Sequence, residues 1–498
     1  MGTTTNARQA VWVALGRFFS FAIGIITPMV FSRFFAKADY GTYKQVMYVY
    51  STLLVIFSLG LPQSYSYFIP RHPLSQAKDI INRITALFLG LGLLFSLTLY
   101  LSSGLIADIL KNDDLETALK VFSPAPLLLL PTLGLDGIFA SFRDTRLVAV
   151  YTVVTKLLTM VCMVVPVVLF DGNYIHALIG FDIASAAALV LALTMRNIPV
   201  RNQPAEKSGL TYKDIFKFTM PLFRASIWGV VIASANQFFI SRYHGSEVFA
   251  EFSNGFQELP FAAMVVAGIG TVLFPLFSGM DKGGKMSPEI YRTWISSLVK
   301  SAKVIFPMLV FSIFFARLVM TCLYGNAYGN STIYFQIKNI SSLLYIIPFA
   351  PVILAIGKAK RFANVHLVIA ILVVALEYAV VKIGLGPVAI AIVSEICQAV
   401  KIYLLFRIVA DYSGMPMASL IPVRQLLTIL LASLVAGGLA ALGTGLLDLN
   451  KWILLGIALV VFVALYYGLC RILKISYRTI LADIFPRLES SSLFKLIP

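Results

Sequence analysis

Residues 11–31, VWVALGRFFSFAIGIITPMVF, form an apolar run that is long enough to cross a bilayer and carries one charge, Arg17. A short polar turn, residues 32–43, leads to a second apolar run that ends in GLPQSYSYFIPR at residues 60–71. The pattern returns 209 positions later without a gap: Ser241-Arg242-Tyr243 matches Ser32-Arg33-Phe34, and Phe249-Ala250 matches Tyr40-Gly41. An apolar hairpin that is repeated at a fixed distance is typical of membrane transporters built from two related halves.

The composition argues against a soluble globular protein. Hydrophobic residues make up 59% of the 498 residues and charged residues only 13%, whereas soluble chains carry about a quarter charged residues. Fourteen apolar segments recur between residues 11 and 473, each close to the length that spans a bilayer. We therefore predict an all-α polytopic membrane protein of about 14 transmembrane helices, with two pseudo-symmetric six-helix lobes plus two C-terminal helices.

The net charge of +17 is explained by topology. If the N-terminus is cytoplasmic, the connections on that side carry 27 of the 40 Lys and Arg residues and the outside connections carry 10. Such an excess is the positive-inside bias of membrane proteins. It predicts a multi-pass protein of the cytoplasmic membrane with both termini in the cytoplasm, and it accounts for the basicity without nucleic acid as a partner.

The longest predicted cytoplasmic connection falls between the two copies of the hairpin and contains prolines and mixed charge. It divides the chain into parts. We expect an N-terminal lobe at residues 1–196 (spans 1–6), a cytoplasmic linker at 197–214, a C-terminal lobe at 215–410 (spans 7–12), spans 13 and 14 within 411–473, and a cytoplasmic tail at 474–498.

The motifs expected of an enzyme are missing. Gly279–Lys285 fits G-x-x-x-x-G-K, but Met286 stands where a phosphate-binding loop needs Ser or Thr. No outside connection is long enough for a catalytic domain, and the four cysteines and four histidines are scattered without ligand spacing. We therefore predict a protein that is not an enzyme and that has no cofactor or metal site.

Ionisable residues inside the predicted spans are the candidate functional residues, because a charge at membrane depth is costly unless it faces a partner or a watery cavity. Arg17 lies in the first span, and Arg224 lies in the seventh, after Pro221. Two arginines that face one cavity would bind a phosphate group, since a guanidinium binds phosphate through two parallel hydrogen bonds. Snorkelling of either side chain to the headgroups is the alternative.

The other charges in the spans have two interpretations. Ion pairs within each half are one, and coupling to protons or sodium ions is the other. Glu258 is expected opposite Arg224, where it would pair with that arginine or take up a coupling proton. The remaining candidates are Lys156, Asp182, Glu377 and Glu395. Six tyrosines between Tyr40 and Tyr67 are interpreted as an interface belt, with sugar stacking as the alternative.

Several motifs resemble a known family. They are Ser32-Arg33-x5-Asp39-Tyr40-Gly41-x-Tyr43, Phe68-Ile69-Pro70-Arg71, Ala316-Arg317-Leu318-Val319 with Leu323-Tyr324-Gly325, and the basic turn Gly357-Lys358-Ala359-Lys360-Arg361. In these motifs and in its span count, the chain resembles the Wzx-type oligosaccharide flippases of the multidrug/oligosaccharidyl-lipid/polysaccharide (MOP) exporter superfamily.

The resemblance implies a MATE-like fold, with two lobes around a cavity lined by spans one, two, seven and eight. It implies a substrate of undecaprenyl-pyrophosphate-linked oligosaccharide, moved between the leaflets of the bacterial inner membrane by alternating access for surface polysaccharide such as O-antigen. Arg17 and Arg224 match the family's cationic cavity by span and depth. Spans 13 and 14 would guide the lipid tail, an ion gradient would drive transport, and polymerase or export machinery would be a partner.

Other functions remain open at this stage. A flippase for the peptidoglycan lipid precursor would share the architecture and the pyrophosphate group. A MATE-like drug/cation antiporter would require acidic residues in its cavity and usually has twelve spans. A membrane-embedded sugar polymerase or ligase would require a large outside loop, and a scaffold for a synthesis complex would require no transport at all.

Overall fold

The structure is a computed structural model that describes residues 19–142, 144–279 and 286–478. Arg17, residues 280–285 of the basic loop and residues 479–498 of the predicted tail lie outside these ranges. Within the described ranges the regular elements are all helices, and no strand occurs. The predicted all-α fold class is therefore confirmed.

The helices follow one another with short connections. Up to the predicted linker the chain contains α1 (Phe19–Phe34), α2 (Lys37–Ser58), α3 (Pro62–Phe68), α4 (Ala77–Leu101), α5 (Ser103–Leu110), α6 (Asp114–Phe122), α7 (Ala125–Leu129), α8 (Leu135–Ser141), α9 (Thr145–Leu169) and α10 (Tyr174–Met195). Beyond it lie α11 (Tyr212–Gly255), α12 (Pro260–Ser278), α13 (Pro288–Phe314), α14 (Ala316–Tyr324), α15 (Ser331–Ser342), α16 (Phe349–Ala355), α17 (Ala359–Ile383), α18 (Pro387–Ser413), α19 (Val423–Thr444) and α20 (Lys451–Ile472).

Eleven helical segments in the described ranges are long and apolar enough to cross a membrane, and a bent pair within α11 raises the number to twelve. The described part of the first predicted span, α1, is shorter. The tenth predicted span, residues 332–356, is divided into α15 and α16, and neither piece has the length that a bilayer requires. The chain is a multi-pass membrane protein, and the number of fourteen spans stays a prediction.

The end of α2 shows how local sequence interrupts a span. Leu59 and Gly60 adopt φ values of 48° and 72°, which end the helix in the left-handed region that glycine tolerates best. Pro62 then occupies the first turn of α3, where its fixed φ and missing N–H favour a new helix. The second span is therefore continuous in sequence but broken in structure.

The chain forms two compact units, Met1–Ala250 and Glu251–Pro498, and the division falls near the end of α11. This division differs from the expected linker at residues 197–214. In the first unit α11 is held to α2, since Gln45 Nε2 donates a hydrogen bond of 2.7 Å to Ser241 Oγ. The expected lobe boundaries stay a prediction.

The first unit is held together by close helix contacts. Gly180 of α10 lies so near α9 that an added Cβ would stand 2.0 Å from the carbonyl oxygen of Cys162. At the start of α2, Asn112 Nδ2 donates to Gln45 Oε1 and, over 2.9 Å, to Thr42 Oγ1. The half-buried amide of Asn112 and the buried amide of Gln45 thus tie the α5–α6 turn to α2, because lipid offers such groups no other partners.

The second unit has a large apolar core around α13. Trp294 is fully buried, and its indole N–H donates 2.9 Å to the carbonyl oxygen of Leu420. Gly437 of α19 faces the Phe314 ring, and Val310 lies at the same contact, so a small residue lets α13 and α19 approach closely.

The repeat seen in the sequence has a structural counterpart inside each unit. The 209-residue offset maps Thr42 onto Glu251. Asn112 donates to Thr42 in the first unit, and Asn330 Nδ2 donates 3.0 Å to Glu251 Oε1 in the second. In both units an asparagine that follows the third helix further along the chain therefore donates to the equivalent helical position.

The contact between α9 and α10 generates a stability prediction. Gly180→Ala is expected to lower the free energy of unfolding by about 1–3 kcal/mol, since the new methyl group overlaps backbone that cannot move away. The measurement is the thermal midpoint of the purified protein in detergent.

Gly90→Ala in α4 is the matched control, because nothing lies within 4 Å of its added Cβ. That variant is expected to leave the midpoint unchanged or raise it slightly, since alanine favours helix over glycine by about 1 kcal/mol. Equal midpoints for the two variants would contradict the close contact.

Candidate functional site

Arg224 lies at a joint in a membrane span. The helical pieces Tyr212–Arg224 and Ser226–Gly255 of α11 meet at an angle of 42°, and Pro221 stands one turn before the joint. Proline removes a backbone hydrogen bond and its ring crowds the preceding turn, so a bend at this place follows from the sequence. The Arg224 side chain is exposed.

Two lysines share the face of α11 on which Arg224 lies. Lys213, Lys217 and Arg224 occupy positions i, i+4 and i+11, which fall within about 40° of one another around an α-helix. All three side chains are exposed. The helix therefore presents a line of three cations from its first turn to its joint.

A charge cluster forms in the second unit around Lys338 of α15. Lys338 Nζ lies 3.0 Å from Glu395 Oε1 on α18 and 3.3 Å from Glu258 Oε1 in the break between α11 and α12. Ser341, one turn further along α15, donates a hydrogen bond to Glu395 Oε2. Lys338 and Glu395 are nearly buried, with 15% and 9% of their side chains exposed, while Glu258 is 55% exposed.

The cluster joins three spans in its unit. The ammonium of Lys338 lies 5.1 Å from the centre of the Phe256 ring, so the broken segment contributes both an acid and an aromatic ring. The cluster therefore holds one lysine between two glutamates, with the more buried glutamate at the shorter distance.

Glu377 of α17 stands apart from the cluster. Its side chain is fully buried, and its two carboxylate oxygens have no hydrogen-bond partner within 3.5 Å in the described part of the chain. Ser394 of the adjacent α18 lies beside it. A buried carboxyl group without a partner at membrane depth is a functional candidate in its own right.

The two predicted charges of the first unit do not meet. Lys156 of α9 is exposed, and Asp182 of α10 is half-buried with one carboxylate oxygen, Oδ1, that is buried and unsatisfied. No ion pair joins them in the part of the chain that the structure describes. Within residues 19–142, 144–279 and 286–478, no group of three His, Cys, Asp or Glu side chains is arranged to hold a metal ion.

The structure therefore brings Glu258 and Glu395 together on Lys338 in the second unit. Within the described residues of each unit, Glu377 lies outside this cluster, and Lys156 and Asp182 form no pair with one another. Lys338 is not among the candidates that the sequence predicts. Its position as the seventh residue of the apolar segment 332–356 is the signal that could have found it. The tyrosines differ from the expected belt: Tyr40 and Tyr65 are buried in the core of the first unit.

The sequence matches a family model described as "Polysaccharide biosynthesis protein" over residues 7–281. No curated protein matches the chain. The fold is similar to that of an inward-facing multidrug resistance MATE family transporter of the MOP superfamily, with a TM-score of 0.63, 11% sequence identity, and coverage of 82% of this chain and 99% of the other.

Two further structures show the same similarity of fold. A MOP superfamily transporter from Pyrococcus furiosus, described as having a binding pocket of reverse polarity, gives a TM-score of 0.58 at 13% identity over 82% of this chain and 96% of the other. A MATE transporter of Vibrio cholerae in its bent form gives 0.56 at 13% identity over 83% and 98%. The expected MATE-like fold is confirmed.

The Lys338 cluster generates a prediction about stability. Lys338→Gln is expected to lower the free energy of unfolding by about 3–5 kcal/mol, because it leaves the Glu395 carboxylate buried without its cation. Combining it with Glu395→Gln is expected to restore most of the loss, since both charges are then removed. The measurement is the thermal midpoint of each purified variant.

Lys382→Gln is the control, because that lysine is exposed near the end of α17 and lies outside the cluster. Its free energy of unfolding is expected to stay within about 0.5 kcal/mol of that of the unmodified protein. A midpoint for Lys338→Gln equal to that of this control would show that the pair is not formed in the membrane.

Proposed function

Because this chain belongs to the polysaccharide biosynthesis protein family, we propose that it is a flippase for undecaprenyl-pyrophosphate-linked oligosaccharide units. It moves them from the inner to the outer leaflet of the bacterial cytoplasmic membrane by alternating access, for surface polysaccharide biosynthesis. The observation that carries this proposal is the family match to more than half of a chain whose fold is that of MOP superfamily transporters. The structures that share this fold are those of transporters, which supports transport rather than catalysis as the function.

The main physical difficulty for such a protein is the pyrophosphate. Each of its negative charges is strongly hydrated, and moving it through hydrocarbon without partners is prohibitively costly. Arg224 supplies a permanent positive charge at a joint in a spanning helix, and its planar guanidinium suits phosphate oxygens. Arg17, which lies outside the described residues, is the proposed second cation of the site.

The line of cations on α11 suggests a path to this place. Lys213 lies in the first turn of α11, which the charge bias puts at the cytoplasmic side, and Lys217 follows one turn later. A pyrophosphate group that enters from the inner leaflet would therefore meet Lys213 and Lys217 before Arg224. The termini are proposed to be cytoplasmic on the same charge bias.

The lipid tail requires an apolar route in the same protein. An apolar cavity of about 370 Å³ lies beside α19, which corresponds to the predicted thirteenth span, and Phe306, Tyr403 and Leu430 contribute to its walls. Its lining supports the proposal that the C-terminal spans guide the tail.

The charged residues of the second unit are the proposed means of coupling. Glu377 has no hydrogen-bond partner in the described chain, and Glu258 is the exposed member of the Lys338 cluster. A proton or sodium ion that binds at either carboxylate would change the local charge balance and bias the equilibrium between conformations. Asp182 would act similarly in the first unit, and Lys156 is proposed to balance charge there.

A multidrug/cation antiporter is the second candidate, and the similarity to multidrug MATE structures favours it. A flippase for the peptidoglycan precursor is a nearer variant of the first proposal, since its substrate carries the same pyrophosphate. The three candidates differ in what accumulates when transport stops.

The deciding experiment is lipid extraction from cells that lack the protein, with mass spectrometry of undecaprenyl-linked intermediates and an assay of their leaflet. Accumulation of a completed oligosaccharide unit on the cytoplasmic face is the expected result. Accumulation of the peptidoglycan precursor would select the nearer variant. Normal lipid intermediates together with altered drug or cation efflux would reject both flippase assignments.

Arg224 provides a test at the level of one residue. Arg224→Ala is expected to reduce surface polysaccharide by about 10- to 100-fold, because a hydrogen bond to a charged group contributes about 1.5–3 kcal/mol. Arg224→Lys is expected to restore export in part, since lysine keeps the charge and loses the two-point contact. The measurement is surface polysaccharide per unit of protein in the membrane fraction.

Arg407→Ala is the control, an exposed arginine on α18 that lies outside the proposed path. It is expected to leave export unchanged. Full export by the Arg224→Ala variant would remove this residue from the mechanism.

A further inference from the structure

An open cavity of about 320 Å³ with several basic side chains in its lining lies along α13 in the second unit, with Gln425 of α19 at its edge. It is separate from the Lys338 cluster, with which it shares no residue. Two apolar side chains, Ile295 and Val299, contribute to its wall. Its polar lining consists of Tyr291, Arg292, Ser296, Lys300, Lys303 and Gln425.

The charges in the cavity have one sign. Arg292, Lys300 and Lys303 fall within about 80° of one another around α13, so all three reach the same side of the helix. Among the lining residues that the structure describes, none is a carboxylate. Lys300 and Lys303 are half-buried, which distinguishes them from lysines on a freely solvated surface.

The depth of the cavity follows from the sequence of the helices that form it. Directly after Lys303, α13 continues with the uncharged run Val304–Phe314, and directly after Gln425, α19 continues with the uncharged run Leu426–Thr444. Both changes from charged or polar to apolar sequence mark the place where the hydrocarbon begins. The cavity therefore lies at the depth of the lipid headgroups, on the side that the charge bias assigns to the cytoplasm.

The chain after α20 fixes one cation in place. Lys303 Nζ donates to the carbonyl oxygen of Ser476, and the Tyr477 hydroxyl donates 2.7 Å to the carbonyl oxygen of Lys303. Burial raises the pKa of Tyr477, so its hydroxyl remains a donor at neutral pH. An ammonium has three donors, which leaves Lys303 able to bind a further oxygen.

We propose that this cavity binds the phosphate headgroup of an anionic glycerophospholipid from the surrounding leaflet. Basic pockets between spanning helices on the cytoplasmic side are suited to anionic headgroups, because the leaflet supplies the anion at high local concentration. Arg292 and Lys300 contact the phosphate, and Ser296 and Gln425 add hydrogen bonds. The apolar wall and the boundary depth select a lipid over a soluble phosphate.

This lipid is distinct from the transported substrate, and the proposal rests only on the membrane placement of the chain. Anionic phospholipid bound here connects α13 with α19. It therefore stabilises the second unit whichever molecule the protein transports. If the flippase proposal is wrong, the proposal of this lipid site still stands. If the lipid site is disproved, the flippase proposal is not affected.

The test uses full-length protein, delipidated in detergent and titrated with phosphatidylglycerol or with phosphatidylcholine of the same acyl chains, with bound lipid counted by native mass spectrometry. The protein is expected to retain phosphatidylglycerol in preference. The variant Arg292→Gln/Lys300→Gln is expected to weaken that binding by about tenfold or more, since each cation near anionic lipid contributes about 1 kcal/mol.

Arg424→Gln/Lys474→Gln is the matched control, because it removes the same net charge from exposed residues that do not line the cavity. It is expected to change phosphatidylglycerol binding by less than about twofold. Equal losses in the two double variants would overturn the site, since they would show attraction to basic charge in general.

Two further measurements serve as controls. Lys300→Arg keeps the charge and is expected to retain phosphatidylglycerol binding. For each variant, a thermal midpoint in phosphatidylcholine equal to that of the unmodified protein shows that the variant is folded. Glycerol phosphate added to protein in phosphatidylcholine is expected to raise this midpoint less than phosphatidylglycerol does. Equal stabilisation by the soluble anion would overturn the assignment to a lipid.

Discussion

Hydrocarbon offers no hydrogen-bond partner and no dielectric screening, and the structure of this chain follows from that constraint. Backbone groups are satisfied by helices almost everywhere in the described chain, and the buried amide of Gln45 is satisfied by Asn112 and Ser241. Where a helix is interrupted, other residues of the chain contact the interruption. Leu222 and Thr219 lie close to Gly60, and Lys338 pairs with Glu258 in the break between α11 and α12. Packing or an opposite charge thus compensates for each of these two interruptions.

The same constraint separates the charged residues by role. Glu395 is nearly buried and is matched by Lys338, with Ser341 as a further donor, so its charge is compensated within the unit. Arg224, by contrast, is exposed at a joint, where an external anion would complete its coordination. Glu377 is buried without a hydrogen-bond partner in the described chain and belongs to neither group. The proposed division between structural, substrate-binding and coupling charges rests on these different degrees of compensation.

The basic residues likewise serve more than one purpose. As a population they show the bias that orients a membrane protein, and exposed cations such as Arg424 need no further explanation. Lys300 and Lys303 differ, because they are half-buried at the start of an uncharged run and line a cavity with Arg292. Topology alone requires positive charge in a connection, but it does not require that the charges converge. Convergence is the feature that indicates a ligand.

The sequence by itself determined the class of protein: the lengths of the apolar runs predict multiple spans, the distribution of Lys and Arg predicts their orientation, and Pro221 predicts an irregularity beside Arg224. These are local properties, because span length, charge and helix breaking depend on neighbouring residues. The division of the tenth predicted span into α15 and α16 and the burial of Tyr40 were not predicted. Only the tertiary structure decided that Lys338 meets Glu258 and Glu395, which lie 80 and 57 residues away. That meeting depends on which faces of three helices pack together, and helix faces that are apolar almost all round carry too little pattern to specify it.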